Sequence, residues 1–105
     1  MTSRLEKIQA MLIDDPADAF LRYTLAMEYR KLDDNEKSLE LLSELAAKEV
    51  PKYVPAFLMA AQQLVQLDRI EEARSFLRDG IDEARVQNNH HAAAEMAELL
   101  AEIGK

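Results

Sequence analysis

The stretch LAMEYRKLD at residues 25–33 is followed, 35 positions later, by AAQQLVQLD at residues 60–68, which repeats the apolar or aromatic character of positions 25, 26 and 29 and the final Leu-Asp pair. The same offset relates Leu42 to Leu77. A fixed period of about 20 to 50 residues is typical of stacked structural repeats, because one unit alone cannot bury its apolar face. The sequence therefore predicts a repeat protein.

The composition limits the class of protein. A chain of 105 residues holds one domain at most, residues 1–105. Its 20 acidic and 13 basic residues give a net charge of −7, which disfavours binding to nucleic acid or to an anionic membrane. With no cysteine and no apolar run of about 18 residues, disulfides, thiolate chemistry and a membrane span are not expected. The first residues lack the apolar core of a signal peptide, which makes the cytoplasm the expected location.

Helix-forming residues dominate the chain, and only 2 glycines and 3 prolines interrupt them. Apolar residues recur at helical spacing in six segments, which predicts an all-α protein. The predicted helices cover about residues 3–13, 17–31, 35–48, 52–67, 70–87 and 89–103. Their connections are short, which favours antiparallel hairpins packed against their sequence neighbours.

Helix starts carry a common signal. Ser3, Asp33 and Asp68 are each followed three residues later by glutamate, the pattern of a capping box. Gly80 lies inside the fifth predicted helix, where glycine costs about 1 kcal/mol relative to alanine. We expect a neighbouring helix to approach closely at Gly80.

The repeated residues resemble those of the tetratricopeptide repeat, a unit of about 34 residues in which helix A pairs with helix B. The matching positions are Leu25, Ala26 and Tyr29 with Ser38 and Leu42, and then Ala60, Ala61 and Leu64 with Ala73, Leu77 and Gly80. Ala97 repeats the small residue once more. The resemblance implies a right-handed superhelix of antiparallel hairpins, in the order B, A-B, A-B, A. Its units would span about residues 19–51 and 54–87, between single helices at about 3–13 and 89–103.

The resemblance also implies a concave groove lined by the helices A. It assigns to this groove Phe20, Tyr23, Met27, Arg30, Lys31, Leu58, Gln62, Val65 and Gln66, with His91, Ala94 and Glu98 from the last helix. Such a surface is half apolar with a cationic corner, which suits a peptide or helix of a protein partner. Some members of the family grip a terminal carboxylate with Lys and Asn. Tyr23, Met27, Leu58 and Gln62 stand at those positions here, so that mode of binding is not expected.

Two alternatives stay open for these residues. Phe20 and Met27 would equally complete the core beneath the first helix, since apolar stripes on helices usually face a core. Arg30 and Lys31 would equally serve only to complement the macrodipole at the end of their helix.

The ends of the repeat suggest a second function. The first helix is a B without its A and the last is an A without its B, so Ala97 and Leu100 should face a helix that is missing. The candidate association surface comprises Met96, Leu99, Leu100 and Ile103. A structural subunit that forms homo-oligomers through its terminal helices is therefore the alternative to an adaptor. The other outcome is that the last helix lies flat on the fifth.

Catalytic and metal-binding chemistry has little support in the sequence. His91 and Glu95 share a helical face next to His90, but two ligands do not make a metal site. The usual nucleophile arrangements and phosphate-binding loops are missing. We expect no enzymatic activity, no metal and no cofactor.

Overall fold

The computed structural model describes residues 3–104, and the described residues form six helices without any strand. The helices are α1 (Arg4–Asp14), α2 (Ala19–Lys31), α3 (Asn35–Ala47), α4 (Val54–Gln66), α5 (Ile70–Val86) and α6 (His90–Ile103). The predicted number and order of helices are confirmed. The predicted starts of α2 and α4, at residues 17 and 52, are each two residues too early.

Local contacts explain the two late starts. The carboxylate of Asp18 accepts a hydrogen bond of 3.0 Å from the N–H of Leu21, so Asp18 is the N-cap of α2. The N–H of Tyr53 donates to the carbonyl of Leu45 at 3.0 Å, which ties the segment before α4 back to α3. The helix then begins at Val54, with a proline in its first turn.

Each helix packs mainly against the next helix in the chain, and α4 also contacts α6. The principal dimensions are 46 × 29 × 19 Å, as expected of hairpins stacked in a row. The architecture is all-α, with six helices packed sequentially as antiparallel pairs.

The small residues of the repeat lie at the helix crossings. Ala26 and Ala61 are fully buried, and the hydroxyl of Ser38 on α3 donates to the carbonyl of Ala26 at 2.7 Å. Small side chains are needed here because the backbones of α2 and α3 approach closely. Ala97, the corresponding residue of α6, is exposed because no helix follows α6 among the described residues.

Gly80 confirms the predicted close approach. A β-carbon at this position would lie 2.5 Å from Sδ of Met96 and 2.6 Å from Cβ of Phe57. Helices α4 and α6 therefore both pack closely against α5 at Gly80, and the space beside Phe57 and Met96 accommodates only glycine.

The capping box predicted at Ser3 is confirmed in part. The hydroxyl of Ser3 accepts the N–H of Glu6 at 3.1 Å. The carboxylate of Glu6 accepts a hydrogen bond from that hydroxyl, also at 3.1 Å, and not from the backbone of Ser3.

Helices α2, α4 and α5 end in the same motif. The residues after their C-caps, Asp33, Asp68 and Asn88, adopt left-handed φ angles of 62°, 59° and 61°. In each case the next N–H bonds to a carbonyl in the last turn, namely Asp34 to Tyr29 at 2.8 Å, Arg69 to Leu64 at 2.8 Å and Asn89 to Ala84 at 2.7 Å. This is the Schellman motif, which satisfies carbonyls that the helix end leaves free.

The prediction that Asp33 and Asp68 cap the following helices is therefore wrong. Asp34 caps α3 by accepting the N–H of Lys37 at 3.3 Å, and Arg69 precedes α5 without a capping hydrogen bond from its side chain. Aspartate suits an N-cap, and it also tolerates the left-handed region better than most residues. The residue type alone does not distinguish these two roles.

Candidate protein-binding groove

A cavity of about 450 Å³ lies between the C-terminal halves of α2 and α4. Its lining includes the predicted residues Met27, Arg30, Lys31 and Gln66. Arg30 crosses it: one guanidinium nitrogen donates to Oε1 of Gln66 at 2.7 Å, and the other lies 2.8 Å from Sδ of Met59. Arg30 therefore does more than complement the dipole of α2, since it joins the two walls of the cavity.

A second cavity, of about 250 Å³, lies where α2, α4 and α6 meet. It contains the predicted residues Tyr23, Leu58, Gln62 and His91. A third cavity, of about 210 Å³, continues between α4 and α6 and reaches Glu98. The predicted residues of three different helices are thus brought to one side of the protein.

Shared residues join the three cavities. Met59 lines the first and the second, while Leu58, Gln62 and Glu95 line the second and the third. We call this row of three adjoining cavities the groove. Met59 was not among the predicted residues, although it follows Leu58 directly and lies on the same side of α4.

Three of the predicted residues lie outside these cavities. Phe20 is 63% exposed near the start of α2, so it does not complete the core beneath the first helix. Val65 is half-buried and packs against the core. Ala94 is exposed on α6 but lines none of the three cavities.

Tyr23, which lines the second cavity, packs against a second tyrosine outside that lining. The rings of Tyr23 on α2 and Tyr53 before α4 lie 5.4 Å apart, tilted by 54°. Burial raises the pKa of Tyr23 above its ordinary value of 10.0, and Tyr53 raises it further, while Arg30 lowers it. Burial, followed by the charge of Asp18, raises the pKa of Tyr53. Both phenols are therefore neutral at physiological pH and can donate hydrogen bonds.

A buried polar network supports the first cavity. Gln63 is only 1% exposed, and its amide donates to Oδ1 of Asn35 at 2.8 Å and lies 3.1 Å from the hydroxyl of Ser38. One unit earlier, at the 35-residue offset, Glu28 is also buried and pairs with Arg4 of α1 at 3.1 Å. Glutamate and glutamine are usually exposed, so no signal in the sequence points to the burial of either residue.

Comparison with known proteins identifies the architecture. No protein-family model and no curated protein matches the chain. Among solved structures, the crystal structure of a tetratricopeptide repeat domain protein from Salinibacter ruber is similar, with a TM-score of 0.74 and 29% sequence identity. The match covers 83% of this chain and 96% of that one. The chain has a tetratricopeptide-repeat fold.

In tetratricopeptide terms, α2, α4 and α6 are helices A, and the groove lies along them. Tetratricopeptide domains generally serve as protein-interaction scaffolds and are typically non-catalytic. None of the helices described here has the length and apolar content needed to cross a membrane.

The candidate association surface on α6 is partly buried. Met96 is fully buried against Gly80, while Leu99, Leu100 and Ile103 are half-buried and pack against the core. Met96 is therefore not exposed to a partner, whereas association through Leu99, Leu100 and Ile103 stays a prediction. Helix α6 lies on α5, because Gly80 gives it room to do so.

The candidate metal ligands His91 and Glu95 contact each other. Nε2 of His91 lies 3.1 Å from Oε1 of Glu95, and both side chains are largely exposed. Within residues 3–104, no three His, Cys, Asp or Glu side chains are placed to hold a metal ion together.

Proposed function

We propose that this tetratricopeptide domain is an adaptor that binds a peptide or helix of another protein in the groove. The observation that carries the proposal is that the three cavities adjoin, since neighbouring cavities share Met59, Leu58, Gln62 and Glu95. A row of adjoining cavities across three helices offers room for an extended or helical segment.

The chemistry of the lining supports a segment with apolar side chains. Met27 is 43% exposed, and Tyr23, Leu58 and Met59 are half-buried, so a bound segment would remove further apolar surface from water. Polar side chains such as Gln62 and Gln66 surround them. An apolar centre with a polar rim is the usual anatomy of a protein interface. Flexible methionines also adapt to partners of different shape.

The test is selection of peptides from a displayed library on the wild-type protein, followed by binding measurements on variants. Leu58→Glu places a charge in the groove and should abolish capture of the selected peptides. Val86→Glu is the matched control, because Val86 is 76% exposed on α5, a helix B. Circular dichroism first establishes that both variants are folded. Peptides that bind Leu58→Glu as tightly as wild type would refute the proposal.

The alternative function is self-association through the terminal helices. On α6 it would use the half-buried Leu99, Leu100 and Ile103 together with the exposed alanines Ala94, Ala97 and Ala101. This alternative ranks second because the large apolar side chains of α6 are already packed within the protein. It predicts that sedimentation of wild type at high concentration shows a dimer or larger species, and that Ala97→Glu converts it to monomer.

A further inference from the structure

The α6 side of the groove is acidic. Glu95, Glu98 and Glu102 line the third cavity together with Leu58, Gln62 and Leu99, and the lining contains no lysine or arginine. All three glutamates are exposed, and the carboxylate of Glu95 also lies 3.1 Å from Nε2 of His91, so Glu98 and Glu102 are the more available to a bound segment. We call these three residues the acidic wall.

The α2 end of the groove is positively charged. Arg30 and Lys31 line the first cavity, where Asp33 is the one acidic residue of the lining. The guanidinium of Arg30 is held by Gln66, a neutral partner, so its charge is not cancelled. The groove therefore changes from cationic at α2 to anionic at α6.

We propose that the segment recognised by the groove is a cationic amphipathic one, with lysine or arginine side chains facing the acidic wall and apolar side chains facing Leu58 and Met59. This proposal rests on the proposed function of the groove and specifies its partner. A neutral or acidic segment would cover the carboxylates of α6 without compensating their charge, which opposes binding. Acidic side chains of the partner, where present, would lie toward Lys31.

The test uses three fluorescein-labelled synthetic helices that share their leucine and alanine positions and carry lysine, glutamine or glutamate at every polar position. Fluorescence anisotropy measures their affinities at about 0.01 M and about 1 M salt, between which the Debye length falls from about 30 Å to about 3 Å. The lysine helix should bind at least about tenfold tighter than the glutamate helix at low salt, and the difference should shrink at high salt. Equal affinities at low salt would overturn the proposal.

A pair of variants separates the acidic wall from the net charge of −7. Glu98→Lys changes the wall, whereas Glu40→Lys makes the same change of charge on α3, at an exposed residue outside the groove. Glu98→Lys should reduce the preference for the lysine helix several-fold, and Glu40→Lys should leave it nearly unchanged. An equal effect of the two variants would show that net charge alone is responsible and would overturn the proposal.

The outcomes also distinguish the two proposals. If the three helices bind equally and Leu58→Glu abolishes binding of all of them, the groove is a binding site without charge preference, and only the cationic partner is wrong. If no helix binds in a manner that depends on Leu58, the proposed function of the groove fails together with the partner assigned to it.

Discussion

Gly80 of α5 lies so close to Phe57 of α4 that a β-carbon on the glycine would fall 2.6 Å from Cβ of Phe57 and 2.9 Å from its Cγ. Real β-carbons do not approach other atoms this closely, and Cβ of Phe57 cannot move without its backbone. The glycine is therefore required by the contact between α4 and α5, and its cost in helix propensity is offset there.

Gly80→Ala should destabilise the protein by about 1–3 kcal/mol through overpacking, partly offset by about 1 kcal/mol of improved helix propensity. Urea unfolding followed by circular dichroism measures the difference. Ser75→Ala, at an exposed position of the same helix, is the control and should leave stability unchanged or slightly raised. A Gly80→Ala protein as stable as wild type would contradict the close packing.

Ala61 and Ala97 allow a matched test of the repeat register. Ala61 is fully buried, so Ala61→Leu should cost about 1–3 kcal/mol. Ala97 occupies the corresponding place on α6 but is exposed, so Ala97→Leu should change stability by less than about 0.5 kcal/mol. Thermal melts of the two variants, compared with wild type, measure this contrast. Similar melting temperatures for both variants would contradict the close packing around Ala61.

Gln62 and Gln63 are adjacent in sequence but differ in role. Gln63→Leu leaves Asn35 without its partner in a part-buried site and should cost about 1–3 kcal/mol. Gln62→Leu, on the exposed surface of the groove, should leave stability nearly unchanged. Chemical denaturation of both variants is the measurement. The reverse order of stability would mean that the buried network does not stabilise the fold.

The Schellman motifs offer a stabilising substitution. Asp68 has a φ of 59°, which lies in the left-handed region. Glycine adopts this region without steric strain because it has no β-carbon. Asp68→Gly should therefore raise stability by up to about 1 kcal/mol, whereas Asp68→Val should lower it. Differential scanning calorimetry gives both values. If Asp68→Val melts at or above the temperature of Asp68→Gly, the left-handed conformation is not what limits this turn.

Stability should depend on Tyr23 at alkaline pH. Burial raises the pKa of Tyr23 in the folded protein above 10.0, so the folded state retains the phenol proton to higher pH than the unfolded state does. The stabilisation is fully present below about pH 10 and is lost as the pH rises through the folded pKa. Tyr23→Phe should reduce the loss of stability between about pH 9 and about pH 11. Urea denaturation at both values measures it, and an unchanged loss in the variant would contradict the assignment.

Sequence reasoning found the features that depend on residue spacing. The 35-residue offset located the buried Ala26 and Ala61, and the glycine inside a helix located the crossing at Gly80. These positions could be predicted because close helix packing restricts side-chain size, and size can be read directly from the sequence.

Features that depend on a partner helix were harder to predict. The burial of Gln63 depends on its hydrogen bonds with Ser38 and Asn35 of α3. Its residue type alone would predict an exposed side chain. The half-burial of Leu99 and Leu100 depends on how closely α6 approaches α5. Most of the predicted groove residues lie together, but Met59 and Glu102 were missed because their positions follow from the relative placement of α4 and α6.

Because each helix packs mainly on its successor, we expect the protein to unfold from its ends. Helices at the two ends have neighbours on one side, whereas α4 is flanked by α3, α5 and α6. Amide protons should consequently exchange soonest in α1 and latest in α4, with opening that begins at the termini and progresses toward the middle. Contacts between near neighbours in sequence also close only short loops, so the chain should fold rapidly.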